Sequence, residues 1–473
     1  MRTVTMKFGG TSVGSPEAIA NVADIVTDAR ASGDRVLVVV SAMSGVTDAL
    51  LNSVREAASG NRWAYLSCSQ KLRDRHEEVA NFLMAAGKPR EAVLAEIEQL
   101  LKQHVDLCEA VRILGEATPR ITDAVVSFGE RLSSRVIAGI LRERGLNASA
   151  YDAGQFLVTD ENYGSANPQW HDTQARVNGF LRPILERDVT PVITGYIGAT
   201  RDGNPTTLGR GGSDFSGAIF AAATESDELI IWTDVDGVMT TDPRIDARAK
   251  VLPYVSYTEV GELAFYGAKV LHPKTVQPIL QKGIPVRVRN TFNRHYPGTL
   301  VGPASEPSTT IIKAVTSVRN VCLLTVSGKG MIGVPGIAGR TFLAAANAGA
   351  NILMISQASS EQNFCFVVID DRADHAKTAI ETELASEIAR QDVDGVEVLD
   401  NVAIVTVVGA GMRGTPGVSG RVFTTMGNQA INVIAIAQGA SECSISFVVD
   451  KQHLESAVVN LHDLALESVP VTA

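Results

Sequence analysis

Cysteine is scarce in this chain of 473 residues: Cys68, Cys108, Cys322, Cys365 and Cys443 are scattered, odd in number and never in C-x-x-C spacing. Such spacing indicates neither a disulfide framework nor a zinc site, and it fits reduced thiols in a cytosol. Long hydrophobic runs are missing too, since no apolar stretch approaches the ~18 residues that a membrane span needs. No signal-peptide pattern opens the chain, because Lys7 and the glycines behind it interrupt any apolar core. The expected location is therefore cytoplasmic, without a membrane partner. Excess positive charge is also absent: the net charge of −10 disfavours nucleic acid, so an anionic substrate must meet a local cationic pocket. Neither H-x-x-x-H spacing nor a carboxylate cluster argues for a protein-bound transition metal, and no metal ligands are assigned. What remains, 45% apolar and 20% charged, is an ordinary globular composition with a large core.

The first motif is Lys7-Phe8-Gly9-Gly10-Thr11-Ser12-Val13-Gly14, an apolar run breaking into glycines ahead of a helical pattern from Pro16. Glycines let a backbone approach a ligand and turn amides toward it, and a helix start adds positive partial charge, so the turn suits phosphate. It lacks the G-x-x-x-x-G-K-[ST] order of the P-loop, and taken alone it is equally a tight βα turn. The β-branched run Arg35 to Ser41 reads as a strand buried on both faces, and Ser41 to Thr47 forms a hydroxyl-rich loop at its carboxyl end. Ser41 and Thr47 are ligand contacts or caps of the next helix. Arg62 to Leu114 predicts two or three amphipathic helices, and Asp123 to Phe128 a short apolar segment leading to Glu130 at a helix start. There the glutamate serves a ligand or the macrodipole.

Further strands are expected over Ala148 to Phe156, Thr190 to Tyr196 and Glu228 to Thr233. Thr206 to Ser216 packs three glycines, Arg210, Ser213 and Asp214 into one turn, more than turn chemistry alone requires. Asp234 to Arg244 and Phe265 to Pro273 follow. Strands alternate with helices throughout the first 300 residues or so, which predicts an α/β domain with a mostly parallel sheet.

In this order and spacing, KFGGTSVG, SFGERLSS, TTLGRGGSD, IWTDVDGV, TTDPR and FYGAKVLHP resemble aspartate kinase of the amino-acid kinase family. The resemblance implies the amino-acid kinase fold over residues 1–300. It also implies transfer of the ATP γ-phosphoryl group to the side-chain carboxylate of L-aspartate, the first step of lysine, threonine and methionine biosynthesis, with Mg²⁺ accompanying ATP. Carried over residue by residue, Lys7 and Asp214 are the catalytic pair. Lys7, Phe8, Gly9, Gly10, Thr233, Asp234, Met239, Arg244 and Lys269 hold ATP, with the Gly9 and Gly10 amides on the phosphates. Ser41, Thr47, Glu130, Arg210 and Ser213 hold aspartate, Arg210 on its α-carboxylate and Glu130 on its ammonium. Met239 and Phe215 stand where many relatives have tyrosine. A different kinase of the same fold, or a non-catalytic amino-acid sensor, are the alternatives.

Beyond a linker expected from Pro297 to Pro307, the chain repeats itself: Gly328-Lys329-Gly330-Met331 recurs as Gly409-Ala410-Gly411-Met412, and the offset of 81 residues then holds without a gap. Two copies are too few for a solenoid. They resemble the tandem ferredoxin-like βαββαβ ACT domains of this family, nested so that residues 315–393 form the first, and 301–314 with 394–473 the second. The resemblance implies an effector amino acid, threonine or lysine with a lean to threonine, bound by Met331, Gly333, Val334, Ile337, Asn351, Gln357 and Ser360 of the first copy alone. It also implies a homodimer or higher homo-oligomer through these domains. The homoserine dehydrogenase half fused to some relatives is expected to be absent.

Overall fold

The computed structural model describes residues 1–267, 271, 273–303, 310–357 and 362–467, and Lys269 and Ser360 lie outside them. Elements run β1 (Thr3–Phe8), α1 (Pro16–Ala31), β2 (Arg35–Val40), α2 (Val46–Ala58), α3 (Arg62–Leu83), α4 (Lys88–Leu114), α5 (Pro119–Val126), α6 (Phe128–Glu143), β3 (Ala148–Tyr151), α7 (Trp170–Arg176), α8 (Arg182–Glu186), β4 (Thr190–Thr194), β5 (Ile197–Ala199), β6 (Pro205–Thr207), α9 (Gly212–Thr224) and β7 (Glu228–Thr233). They continue as β8 (Tyr254–Ser256), α10 (Tyr257–Phe265), α11 (Pro273–Leu280), β9 (Val286–Asn290), β10 (Thr299–Gly302), β11 (Ala314–Ser327), α12 (Ile337–Asn347), β12 (Ile352–Gln357), β13 (Asn363–Ile369), α13 (Ala373–Glu383), α14 (Ala385–Ala389), β14 (Gly395–Val408), α15 (Val418–Asn428), β15 (Ala435–Gln438), β16 (Ser444–Asp450) and α16 (Leu454–Leu466). The segment from Asp123 falls in a helix, α5, capped by the Thr118 hydroxyl. The expected linker is also corrected, because Thr299–Gly302 pairs into a sheet as β10.

The chain divides into two compact units. The first comprises Met1–Val238, Pro253–Tyr257 and Val270–Pro303. Its eight-stranded sheet has the order β3-β4-β2-β1-β7-β9-β10-β8, parallel except where β10 meets β9. Alternation along β2 explains why it is apolar from Val36 to Val40. Val36, Val38 and Val40 pack with Val4, Met6 and Phe8 under the helical layer that includes α1 and α6, while Leu37 and Val39 pack with Phe156, Ile219 and Phe220 on the α9 side. β1 lies between β2 and β7, and the crevice outside its carboxyl end is where such sheets bind ligands.

The second unit comprises Met239–Leu252, Thr258–Lys269 and Ala304–Ala473, so two stretches of the expected 1–300 domain cluster with the C-terminal part instead. Its antiparallel sheet has the order β12-β13-β11-β14-β16-β15. β11 and β14 pair along their lengths, with a register shift between Val318 and Val321. Near it each strand carries a left-handed asparagine, Asn320 (φ 57°) and Asn401 (φ 59°), at equivalent positions of the repeat. Each copy also keeps its aromatic contact, Phe342 against Phe366 and Phe423 against Phe447.

Buried polar contacts tie the two inserted stretches to the second copy. The His462 ring, fully buried on α16, lies 2.8 Å from the Thr240 hydroxyl and 2.8 Å from Asp246. The fork of Arg248 and the His462 ring hold the Asp246 carboxyl well below the usual carboxylate range. On α10, Glu259 accepts from the Ala410 amide (2.6 Å) and pairs with Lys313 (3.0 Å), and Glu262 accepts from the Ser444 hydroxyl. Replacing His462 with alanine leaves Thr240 and Asp246 short of a buried partner. It is expected to lower the unfolding free energy by ~1–3 kcal/mol, read as a lower urea midpoint. An unchanged midpoint would show that the network carries no stability.

Candidate active site

At the carboxyl end of β1, a cavity of about 410 Å³ is lined by Lys7, Gly10, Ser41, Thr47, Glu130, Arg210, Ser213 and Asp214. Five separate stretches of sequence thus meet at one place within the first unit. Lys7 is buried near the end of β1, on the face opposite Phe8, where its amine forms an ion pair with Asp214 in the first turn of α9. α9 can pass this close because residue 217 is glycine: a Cβ there would stand 3.1 Å from the Lys7 Cβ. A buried ammonium without a counter-charge would be costly, and Asp214 supplies that charge while fixing where the amine points.

Glu130 is 2% exposed, in the first turn of α6. Its Oε2 has no hydrogen-bond partner among the described residues. Burial pushes its carboxyl up to about 8, against opposing pulls from the Ala42 amide and the Lys7 charge. Gly129 permits the approach that buries it, since a Cβ there would lie 2.7 Å from the Ala42 Cβ. Arg210 is exposed in the Gly209–Gly212 turn and, among the described residues, stands in no ion pair. The cavity therefore brings the Arg210 guanidinium and the buried Glu130 carboxyl, each with unmet bonding capacity, beside a lysine already neutralised.

Other expected residues are placed differently. The Phe8 side chain is core, stacked on Trp232 at 6.0 Å, so only its backbone faces the turn. The Gly9 amide, expected to face phosphate, donates to the Trp232 carbonyl (3.1 Å), and only Gly10 of the pair lines the cavity. Thr233 and Asp234 lie beyond the lining, their side chains 3.1 Å apart. Met239 and Arg244 belong to the second unit, where the Arg244 fork rests on Asp242. Of the expected effector residues, Met331 and Ile337 are buried, Val334 is exposed, Asn351 immediately precedes β12 and Gln357 is its last residue.

The cavity includes residues given no role in the sequence. Asp48 lies in the first turn of α2, and Tyr196 ends the run expected as a strand over Thr190 to Tyr196. Tyr196 takes a left-handed conformation (φ 64°), with its amide on the Ser216 hydroxyl (2.9 Å), a geometry that no residue pattern announces. A second cavity, about 300 Å³, opens at the glycine loop of the second copy, lined by Met412, Thr415, Gln438 and Glu442 among others. Gln438 and Glu442 were legible only as repeat partners of Gln357 and Glu361.

The Glu130 shift sets a pH dependence. Its folded value stands above the unfolded one, so the ligand-free fold loses stability as pH rises from about 4.5 to about 8. Glu130→Gln removes that loss. The variant is expected to match the wild type near pH 4.5 and to exceed it at pH 8 by an amount on the order of a few kcal/mol. Denaturant melts across this range would show a constant gap if Glu130 does not titrate there.

Comparison with known proteins gives a consistent picture. The amino acid kinase family pattern matches residues 2–290, and the ACT domain pattern matches 324–384 and 405–464. The bifunctional aspartokinase/homoserine dehydrogenase 1 of Zea mays is 37% identical over 96% of this chain and 50% of its own length. The chain thus spans about half the length of such bifunctional relatives. Aspartokinase 1 of Arabidopsis thaliana is 31% identical over 98% of this chain and 80% of its own. Aspartokinase III of E. coli, solved in complex with aspartate and ADP in the R-state, superposes with a TM-score of 0.83 at 31% identity, over 98% of this chain and 100% of that one. The same enzyme in complex with lysine and aspartate, in the T-state, gives 0.77 at 30% identity over the same shares. On this evidence the chain belongs to the amino acid kinase family, among the aspartokinases with C-terminal ACT domains.

Proposed function

We propose that the protein transfers the γ-phosphoryl group of ATP to the side-chain carboxylate of L-aspartate, giving 4-phospho-L-aspartate. The observation that carries this reading is the coexistence, in one cavity, of the unpaired Arg210 guanidinium and the half-partnered Glu130 carboxylate beside buried Lys7. An α-amino acid brings the complementary charges. Arg210 takes its α-carboxylate with a planar fork, and Glu130 takes its ammonium. Ser41, Thr47 and Ser213 supply the remaining hydrogen bonds. The side-chain carboxylate, with an unperturbed pKa of about 3.9, is already ionised at neutral pH. No general base is needed, and the problem becomes electrostatic: two anions must be held together in line.

Lys7 meets that demand at the transferring group, with Asp214 as its positioning residue and the Gly10 turn beside the phosphates. Thr233, Asp234, Met239, Arg244 and Lys269 complete the nucleotide side in this reading. Mg²⁺ arrives with ATP and neutralises phosphate charge. Among the described residues no group of three or more His, Cys, Asp or Glu builds a metal cage, which suits an ion held mostly by phosphate oxygens and water. Among those residues, too, no helix is long and apolar enough to cross a membrane. The ACT copies, nested through the shared strands β11 and β14, mediate homo-oligomerisation and bind a threonine or lysine effector.

A coupled assay offering aspartate, glutamate and UMP is expected to show turnover of aspartate well above the others, and equal or better turnover of glutamate would end this reading. Lys7→Ala is expected to lower kcat by roughly 10²–10³-fold while changing the aspartate KM little. Near-normal kcat would show that the lysine role is misassigned. For regulation, activity titrated with threonine and with lysine should reveal one inhibitor. Gln357→Ala should weaken it at least about tenfold and Gln438→Ala should leave it within about twofold, since a factor of ten corresponds to one well-made hydrogen bond lost. The reverse pattern would move the effector to the cavity of the second copy.

A further inference from the structure

Within the first unit, away from the catalytic cavity, a polar hollow of about 420 Å³ lies on the α1 side of the sheet. Strand register builds it: Met6, Ile230 and Arg287 stand in one row across β1, β7 and β9, and Phe8, Trp232 and Arg289 in the next. Val286 and Val288, on the other face of β9, are fully buried, whereas Arg287 and Arg289 line the hollow. α1 contributes Ile25, Asp28 and Ala29 to its wall.

The lining of the hollow carries four arginines, Arg2, Arg287, Arg289 and Arg294, against three carboxylates, Asp28, Asp34 and Glu228. Glu228, nearly buried, is already shared by Arg2 and Arg287 (2.8 Å for the latter). Arg294 is served by Asp24 (3.1 Å) and Asp28 (3.7 Å). Arg289 has no carboxylate partner among the described residues. It donates only to the carbonyls of Arg294 and Tyr296, and its guanidinium lies 4.7 Å above the Trp232 ring. Burial and the neighbouring Arg287 lower its pKa, with Glu228 opposing. A second donor is also unmet. Trp232 is 2% exposed and lines the hollow, and among the described residues its indole N–H has no acceptor.

We propose that this hollow binds a small oxyanion, carboxylate or phosphate, with Arg289 as its anchor. The guanidinium fork and the surplus of arginine over available carboxylate select an anion with two or more oxygens. Such a ligand would be felt at the phosphate turn, because the Trp232 carbonyl accepts from the Gly9 amide (3.1 Å) and the Ser12 hydroxyl (3.2 Å).

Trp232 is itself the reporter. The full chain carrying Trp63→Phe and Trp170→Phe, both at exposed positions, leaves it as the only tryptophan. Titration with inorganic phosphate, and separately with succinate, at ionic strength held constant with sodium chloride, is expected to give a saturable change in its fluorescence. The anion that saturates at lower concentration identifies the source. Arg289→Gln in that background should weaken the midpoint at least about tenfold, Arg289→Lys, which keeps the charge but loses the fork, by a smaller factor, and Lys7→Gln not at all. No saturable change with either anion overturns the proposal. So does a response unaltered by both Arg289 variants, or one lost in Lys7→Gln, which would place the anion at the catalytic cavity.

Discussion

A lysine buried at the end of the central strand is the constraint from which the catalytic cavity follows. Its ammonium cannot be left in the sheet uncompensated, and the compensating carboxylate must come from outside β1, because the strand's neighbours Val39 and Ile231 are apolar. Asp214 provides it from the first turn of a helix lying across the same face. The absence of a side chain at position 217 lets that helix lie there without crowding Lys7, whose Cβ would be 3.1 Å from an added Cβ. A short, shielded ion pair is weak evidence for stability, since both ions lose water. Its value is positional: the amine keeps its direction while unlike molecules come and go.

Glu130 and Arg210 follow the opposite logic. Both have capacity that the protein leaves unmet, one inside and one at the rim. The buried carboxylate carries the larger penalty, visible in its raised pKa. Evolution could have removed that penalty with an internal partner, yet Lys7, whose charge is felt at Glu130, is committed to Asp214. A site that satisfied all its own charges would have nothing left with which to hold a zwitterion. Stability withheld at these two groups is the source of affinity for a ligand that satisfies them both.

Legibility in the sequence followed the physics of each feature. β1, β2 and β7 showed themselves because strands buried on both faces are mostly apolar, and the repeat showed itself because one fold had been encoded twice. Lys7, Asp214, Glu130 and Arg210 were legible as parts of ordered motifs. What escaped were matters of pairing and packing. Asp123 to Val126 sits in a helix although its apolar run is too short to show a period, and Thr299–Gly302 hydrogen-bonds as a strand despite neighbouring prolines. The Gly9 amide could not be known to be occupied by the Trp232 carbonyl, since that bond joins positions 223 residues apart. Asp48 and Tyr196 have no spacing rule to announce them.

The division into units has a consequence for regulation. Met239 and Arg244, nucleotide residues in the proposed reading, belong to the same compact unit as both ACT copies. Their stretch is fastened to α16 by the buried His462 contacts, and α10 is fastened to the glycine loop of the second copy through Glu259. An effector can shift activity only by distinguishing two states of the chain. A rearrangement within the C-terminal sheet would carry these stretches with it, whereas Lys7, Glu130 and Arg210 stand on the other unit. In the proposed reading the expected signature is an effector that acts more on ATP than on aspartate, because the charges assigned there to amino-acid recognition, Glu130 on α6 and Arg210 in the Gly209–Gly212 turn, belong to the first unit.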